Sequence, residues 1–200
     1  MSEPVRSRGG FSRREFLKGS GAAAAATAVV GAPLVAPAEE ATGLIRGAEE
    51  VTLQVNGKAH RVRIEPRTTL LEVLRYQLGL TGAKPVSADG CCGGSTVLLE
   101  GKPISAATTL ALDCVGKQIT TVEGLGAQDN VVQAFVHQDA MQCGFCTPGF
   151  VVAVKAFLKK HPYATEEEVR EGLNGNLCRC GTYVNVVRAA LEVVKGGRNG

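Results

Sequence analysis

The chain contains QCGFCTPG at residues 142–149 and GNLCRCGTY at residues 175–183. These stretches hold two close pairs of thiols, Cys143 with Cys146 and Cys178 with Cys180. Two irons bridged by two sulfides need four thiolates, two for each iron, and a fold that brings two such pairs together supplies them. The same four thiolates also suit a structural zinc ion or two disulfides. Spacing by itself leaves all three interpretations open.

The residues around these cysteines closely resemble the small iron-sulfur subunit of molybdenum hydroxylases, the xanthine oxidase and aldehyde oxidoreductase family. The stretch ITTVEGL at residues 119–125 is similar to that family's junction between two domains, and the resemblance covers about residues 51–194. It implies a 2Fe-2S cluster, the metal site being Cys143, Cys146, Cys178 and Cys180. It also implies an α+β fold, with an N-terminal β-grasp, ferredoxin-like domain at residues 49–124 and a C-terminal four-helix, 2Fe-2S-binding domain at residues 125–196.

The hydrophobic pattern of the first half predicts a mixed α/β unit. Residues 51–55 and 60–64 alternate apolar and polar side chains around an Asn-Gly turn, which predicts a hairpin. Thr68 or Thr69 is a suitable cap for a helix with leucines at helical spacing. Further strands are predicted at residues 96–99, near Ile104 and at residues 117–122.

From about residue 127 the apolar period becomes helical and predicts four short helices. The first carries Val131 and Phe135 on one stripe, and Pro148 is well placed in the first turn of the second. A capping box at residues 165–168 opens the third helix, and residues 184–195 form the fourth. The two cysteine pairs lie at the ends of these helices.

The first half departs from the family in its metal ligands. Members hold a second, plant-type 2Fe-2S cluster there. Alignment of the neighbouring residues places Ser87, Cys92, Ser95 and Ala107 at its four ligand positions. Serine offers only a harder, much less acidic oxygen, and alanine offers no ligand. We therefore expect no normal plant-type cluster, with Cys92 as the remnant of its site.

A rearranged site on Cys91, Cys92 and Cys114 is the alternative. Neighbouring side chains diverge along an extended chain, so joint ligation by Cys91 and Cys92 is awkward, and three thiols are one too few. We interpret Cys114 as a small buried apolar residue and the adjacent pair as free or oxidised thiols. In a loop without metal, the backbone donors of residues 89–94 are expected to bind water.

The N-terminus predicts export. SRREFLK at residues 12–18 is typical of a twin-arginine signal, and an Ala/Val stretch at 22–35 precedes a cleavage candidate at Ala36-Pro37-Ala38. We expect a signal peptide at residues 1–38, cleaved after Ala38, and a flexible linker at 39–48; an uncleaved anchor is the alternative. Proteins on this route fold and acquire cofactors before export, so a cluster would occupy the thiolates before disulfides form.

The net charge of +3 comes from this leader. It holds five of the 22 basic and two of the 19 acidic residues, leaving 17 of each, which gives no electrostatic argument for binding nucleic acid.

No constellation of acid, base and nucleophile is evident, so the resemblance implies a catalytic centre on a partner. That large subunit would bind the molybdenum cofactor and hydroxylate aldehydes or nitrogen heterocycles, with Gln142 and Cys180 of this chain against the pterin. Arg179, between two ligands, is a candidate for raising the cluster potential, and a surface residue at the partner interface is the equal alternative. Without a plant-type cluster, we expect electrons to pass directly to an external acceptor such as an exported cytochrome rather than to a flavin subunit. The competing hypothesis is a nonredox structural or assembly subunit that holds zinc.

Overall fold

The computed structural model describes residues 47–198, so the predicted signal peptide and nearly all of the predicted linker lie outside the described residues. The described residues form one five-stranded mixed sheet and several helices. The strands are β1 (Glu49–Val55), β2 (Lys58–Ile64), β3 (Thr96–Leu99), β4 (Lys102–Ser105) and β5 (Gln118–Thr120). The α-helices are α1 (Leu70–Glu72), α2 (Asn130–His137), α3 (Thr147–Lys160), α4 (Glu166–Gly172) and α5 (Tyr183–Arg198). This arrangement confirms the α+β class.

The sheet has the strand order β2-β1-β5-β3-β4. Strands β1 and β5 are parallel, and the other neighbours are antiparallel. The predicted hairpin is confirmed, because Asn56 and Gly57 both have positive φ, at 51° and 76°, as a tight turn between twisted strands requires. Leu53 and Val55 of β1 are fully buried in the core beneath the sheet.

Helix α1 begins as predicted at Thr69, whose hydroxyl accepts from the Glu72 backbone while the Glu72 carboxylate accepts from the Thr69 backbone. It then widens into a π-helix at Val73–Gln77, which the sequence pattern did not predict. The wider turn is visible in the Leu78 amide, which donates to the Val73 carbonyl at 3.1 Å, five residues back.

The second half forms the four predicted helices. Asp129 caps α2 by accepting from the Val131 amide at 2.9 Å, and Pro148 lies in the first turn of α3. The capping box at Thr165 and Glu168 opens α4. Among the described residues, no helix is long and apolar enough to cross a membrane.

Two hydrophobic cores are present, one beneath the sheet and one between the helices. Leu98 of β3 packs between them against Val152 and Ala156 of α3. The sheet therefore rests directly on the helix that begins at the first cysteine pair.

Candidate metal centre

The four predicted ligands lie in two turns that face each other. Cys143 and Cys146 occupy the turn that leads into α3, and Cys178 and Cys180 occupy the loop before α5. A cavity of about 370 Å³ separates these turns and is lined by Cys143, Cys146 and Cys178. Its volume is roughly ten times that of a water molecule in the liquid.

The thiols pair across the two turns rather than within them. A side-chain hydrogen bond with Cys180 contributes to the lowered pKa of Cys143, and one with Cys178 contributes to the raised pKa of Cys146. Within residues 47–198, no three His, Cys, Asp or Glu side chains converge as they would on one metal ion. The thiols of the two motifs therefore contribute to one site, as a cluster held by four thiolates requires.

Each pair has one thiol that ionises readily and one that does not. A hydrogen bond from the Phe145 backbone lowers the pKa of Cys143, whereas the bond to Cys143 raises the pKa of Cys180. Burial and then the bond to Cys178 raise the pKa of Cys146 to about 12. Iron binding would displace the thiol protons, because the thiolate and not the thiol is the metal ligand.

The loop after Cys178 wraps backbone donors around its sulfur. Burial opposes ionisation, but the N–H groups of Thr182, Gly181 and Cys180 all donate to this sulfur and lower its pKa. The Cys178 amide donates to the Tyr183 hydroxyl at 2.8 Å, which fixes the loop against α5. Gly181 has φ of 83°, a conformation that a side chain would strain, so the sequence Cys-Gly-Thr-Tyr suits this turn.

Two hydroxyls beside the cysteines lack a protein partner. Thr147 Oγ1 follows Cys146, Thr182 Oγ1 follows Cys180 and Gly181, and both are buried without a hydrogen bond among the described residues. Buried hydroxyls normally find a partner, and the sulfur atoms of a cluster would supply an acceptor. The thiol pairs, the cavity and these hydroxyls together fit a 2Fe-2S group.

The residues predicted to face a partner lie at the rim of this site. Gln142 and Cys180 are exposed, and Arg179 lines the cavity. Phe145 and Leu177, which also line the cavity, expose 50% and 54% of their surfaces.

The plant-type ligand positions also come together, but hydrogen bonds link them. The Ser87 hydroxyl donates to Cys92 Sγ at 3.0 Å, and the Ala107 amide donates to Ser95 Oγ at 3.3 Å. Ser95 Oγ also lies 3.2 Å from Ser105 Oγ. Serine hydroxyls thus satisfy polar groups at positions where the family binds iron.

The structure tests two expectations for the first half of the chain. Cys114 is fully buried in the sheet core, as predicted, with its thiol donating to the Leu110 carbonyl at 3.6 Å. The expectation that all loop donors bind water is wrong for Cys91 and Gly94, because their amides donate to Asp89 Oδ1 and Cys92 Sγ at 3.4 Å each. Short polar side chains within the loop replace the acceptors that a cluster would provide.

Comparison with known proteins agrees with this geometry. The 2Fe-2S binding domain family matches residues 121–191, and the twin-arginine translocation pathway signal sequence matches residues 10–30. The aldehyde oxidoreductase iron-sulfur-binding subunit PaoA of Escherichia coli K12 is 40% identical over 93% of this chain and 89% of its own length. The chain belongs to the molybdenum hydroxylase iron-sulfur subunits.

Other members support the assignment of this iron-sulfur subunit. The nicotine 6-hydroxylase small subunit of Paenarthrobacter nicotinovorans is 41% identical over 76% of this chain and 94% of its own length. Quinoline 2-oxidoreductase from Pseudomonas putida 86 has a chain that superposes with a TM-score of 0.72 at 36% identity, covering 78% of this chain and 99% of that chain. Aldehyde oxidoreductase from Desulfovibrio gigas gives 0.70 at 34% identity, covering 76% of this chain but only 17% of that longer chain.

The protein is therefore an exported electron-transfer subunit of an oxidoreductase, and the zinc hypothesis is not favoured. Sequence analysis did not identify Thr147, Thr182 or Tyr183 as parts of the site. Their only signal is position, because each lies within the two cysteine motifs. Their roles depend on hydrogen bonds that spacing does not show.

Proposed function

We propose that this subunit binds a single 2Fe-2S cluster and passes electrons one at a time from a molybdenum centre to an external acceptor. The ligands are Cys143, Cys146, Cys178 and Cys180. The observation that carries this proposal is the single cavity that Cys143 and Cys146 of one motif share with Cys178 of the other. Cys143 and Cys146 of the first motif and Cys178 and Cys180 of the second would together hold the two irons.

When bound, the cluster supplies a one-electron carrier of tunable potential. The chain's own residues position it and set its surroundings. Backbone N–H groups of residues 180–182 stabilise the charged form of Cys178, and Thr182 offers a buried hydroxyl for a further hydrogen bond. Hydrogen bonds to cluster sulfurs and nearby positive charge both favour reduction, so these donors and Arg179 raise the potential.

The partner is a large subunit with the molybdenum cofactor, and the exposed rim of the site faces it. Gln142 and Cys180 lie at that rim, in position to contact the pterin, beside the exposed apolar side chains of Phe145 and Leu177. Relatives named for aldehyde, nicotine and quinoline oxidation support an aldehyde or a nitrogen heterocycle as the substrate class.

The first half is a β-grasp, ferredoxin-like domain without a normal plant-type cluster. Its strand order and its own hydrophobic core support a boundary near residue 124, between domains at 49–124 and 125–196. Ser87, Ser95 and Ala107 provide no thiolate. Electrons consequently leave from the C-terminal cluster, and an exported cytochrome suits that route better than a flavin subunit that relies on the second cluster.

Iron and acid-labile sulfide content of the anaerobically purified protein test this proposal, together with EPR spectra before and after dithionite. We expect about two irons and two sulfides per chain, since one 2Fe-2S cluster contains that number. One reduced-cluster EPR signal should accompany them. About four irons would contradict the single-cluster proposal, and zinc without iron would restore the structural hypothesis.

A further inference from the structure

The loop that lost the plant-type ligands is docked on the C-terminal metal site. The Leu177 amide, next to the ligand Cys178, donates to the Cys92 carbonyl at 3.0 Å. The buried Asn176 side chain donates to the Gly93 carbonyl at 3.1 Å. Two consecutive carbonyls of the loop are thus held by the two residues that precede Cys178.

The loop lies so close to its neighbours in the C-terminal half that a side chain would not fit at Gly93 or at Gly149. A Cβ atom on Gly149, in the first turn of α3, would lie 2.3 Å from the Gly93 carbonyl oxygen. A Cβ atom on Gly93 would lie 2.5 Å from the Asn176 amide nitrogen, and Gly93 has φ of +68°. Glycine at both positions therefore permits backbone contact between the loop and the helix that carries Cys146 at its start.

The docking places Cys92 in the wall of the cluster cavity. Val86, Cys92 and Gly94 line the same cavity as Cys143, Cys146 and Cys178. Cys92 Sγ accepts hydrogen bonds from the Ser87 hydroxyl at 3.0 Å and from the Gly94 amide at 3.4 Å. With its sulfur used as an acceptor twice, the thiol hydrogen remains available to donate into the cavity.

We propose that the loop at residues 87–94 now serves as a wall of the C-terminal cluster site, in which Cys92 is a positioning residue that donates a hydrogen bond toward the cluster. This inference rests on the proposed function, because it needs a cluster in the cavity. Ser87, which replaces an iron ligand of the family, orients the Cys92 thiol. A hydrogen bond to a cluster sulfur raises the reduction potential, and a closed wall excludes water and oxidants.

Three variants of the full chain separate this role from a purely structural one. Cys92→Ala removes the donor, Cys92→Ser keeps a donor of similar size, and Cys91→Ala is the matched control because that exposed neighbour does not line the cavity. The reduction potential is measured by EPR-monitored redox titration. We expect Cys92→Ala to lower the equilibrium constant for reduction about threefold, which is a fall of roughly 30 mV in the one-electron reduction potential. The potentials of the other two variants should stay within about 10 mV of wild type, a change of roughly 1.5-fold.

A second pair of variants tests the wall without touching a thiol. Asn176→Ala removes the hydrogen bond to Gly93, and Asn174→Ala is an exposed control on the same loop. We expect bleaching of the cluster absorbance in air to be about threefold faster in Asn176→Ala, since an opened wall admits oxidant, and unchanged in Asn174→Ala.

The outcomes distinguish this inference from the proposed function. Wild-type protein without iron would overturn the proposed function. Wild-type protein with a cluster, but with Cys92→Ala titrating like wild type or shifting no further than Cys92→Ser, would overturn only the role of Cys92. Equal bleaching rates in the two asparagine variants would overturn the proposal that the loop at residues 87–94 is a wall of the cluster site.

Discussion

At the residue scale, Cys178 is the most constrained of the four thiols. Only 7% of it is exposed, and three backbone amides donate to its sulfur. We expect Cys178→Ala to reduce the iron content from about two per chain to nearly none, because each iron needs two thiolates. Iron analysis and the visible absorbance measure this loss.

Cys114→Ala is the matched control, since Cys114 is equally buried but belongs to the sheet core. It should keep the full iron content and lower the free energy of unfolding by about 1 kcal/mol, the cost of a small cavity. Iron retained in Cys178→Ala, or lost in Cys114→Ala, would contradict the ligand assignment.

Glu123, between the sheet and the helices, is a second residue with a measurable charge effect. Burial opposes its ionisation, but hydrogen bonds from Thr121 Oγ1 at 2.5 Å and the Gly82 amide at 2.7 Å outweigh it and hold the pKa of this carboxyl below its ordinary 4.5. A lowered pKa in the folded state stabilises the protein above pH 4.5, and this contribution is lost as the pH falls through the lowered value.

Glu123→Gln should therefore cost about 1 kcal/mol at pH 7, allowing for the screening of an exposed carboxylate by water. The deficit should shrink as the pH falls from 4.5 through the lowered pKa of the folded state, because the wild-type carboxylate becomes protonated over that range. Denaturant unfolding at pH 7 and at about pH 3 measures both values. A deficit that is equal at the two pH values would show that the charge of Glu123 contributes nothing.

At the element scale, the start of α2 depends on one side chain. Asp129 Oδ1 accepts from the Val131 amide at 2.9 Å, and Oδ2 lies 2.6 Å from Lys155 Nζ on α3. We expect Asp129→Ala to cost about 2 kcal/mol, the sum of an N-cap and a partly buried ion pair, and Asp129→Asn to cost about half as much because it keeps the cap. Thermal unfolding distinguishes the two; equal costs would assign the whole effect to the ion pair.

The same elements show how far sequence reasoning extends. The hairpin at Asn56-Gly57 and the box at Thr165 were predictable because their signals lie within a few residues of each other. The π-helix at Val73–Gln77 was not, since the leucine spacing there is that of an ordinary helix and no local signal marks the wider turn. Likewise, the two cysteine motifs and their resemblance to the family predicted the four ligands, but the cavity between them depends on how the turns before α3 and α5 face each other.

At the scale of the whole molecule, the fold of the first half persists although its metal ligands have changed. The sheet, its core and the docked loop are all present, and serine hydroxyls occupy the hydrogen-bonding positions near Cys92 and Ala107. Hydrogen bonds of Ser87 and Ser95 thus connect the four plant-type positions in two pairs. The domain thus keeps its sheet and core with no thiol at three of the four plant-type positions, and its loop contacts the C-terminal site through Leu177 and Asn176.

If only the thiolates are missing, restoring them should restore the second site. The four positions already meet in two close pairs, Ser87 with Cys92 at 3.0 Å and Ser95 with the Ala107 backbone at 3.3 Å. We expect the triple variant Ser87→Cys, Ser95→Cys and Ala107→Cys, matured with its leader in place, to raise the iron content from about two to about four per chain. A control that carries Ala106→Cys instead of Ala107→Cys adds the same number of thiols but directs one into the sheet core, where Ala106 is fully buried, and should stay at about two. Four irons in both variants would indicate nonspecific binding, and two in both would show that the loop has lost more than its ligands.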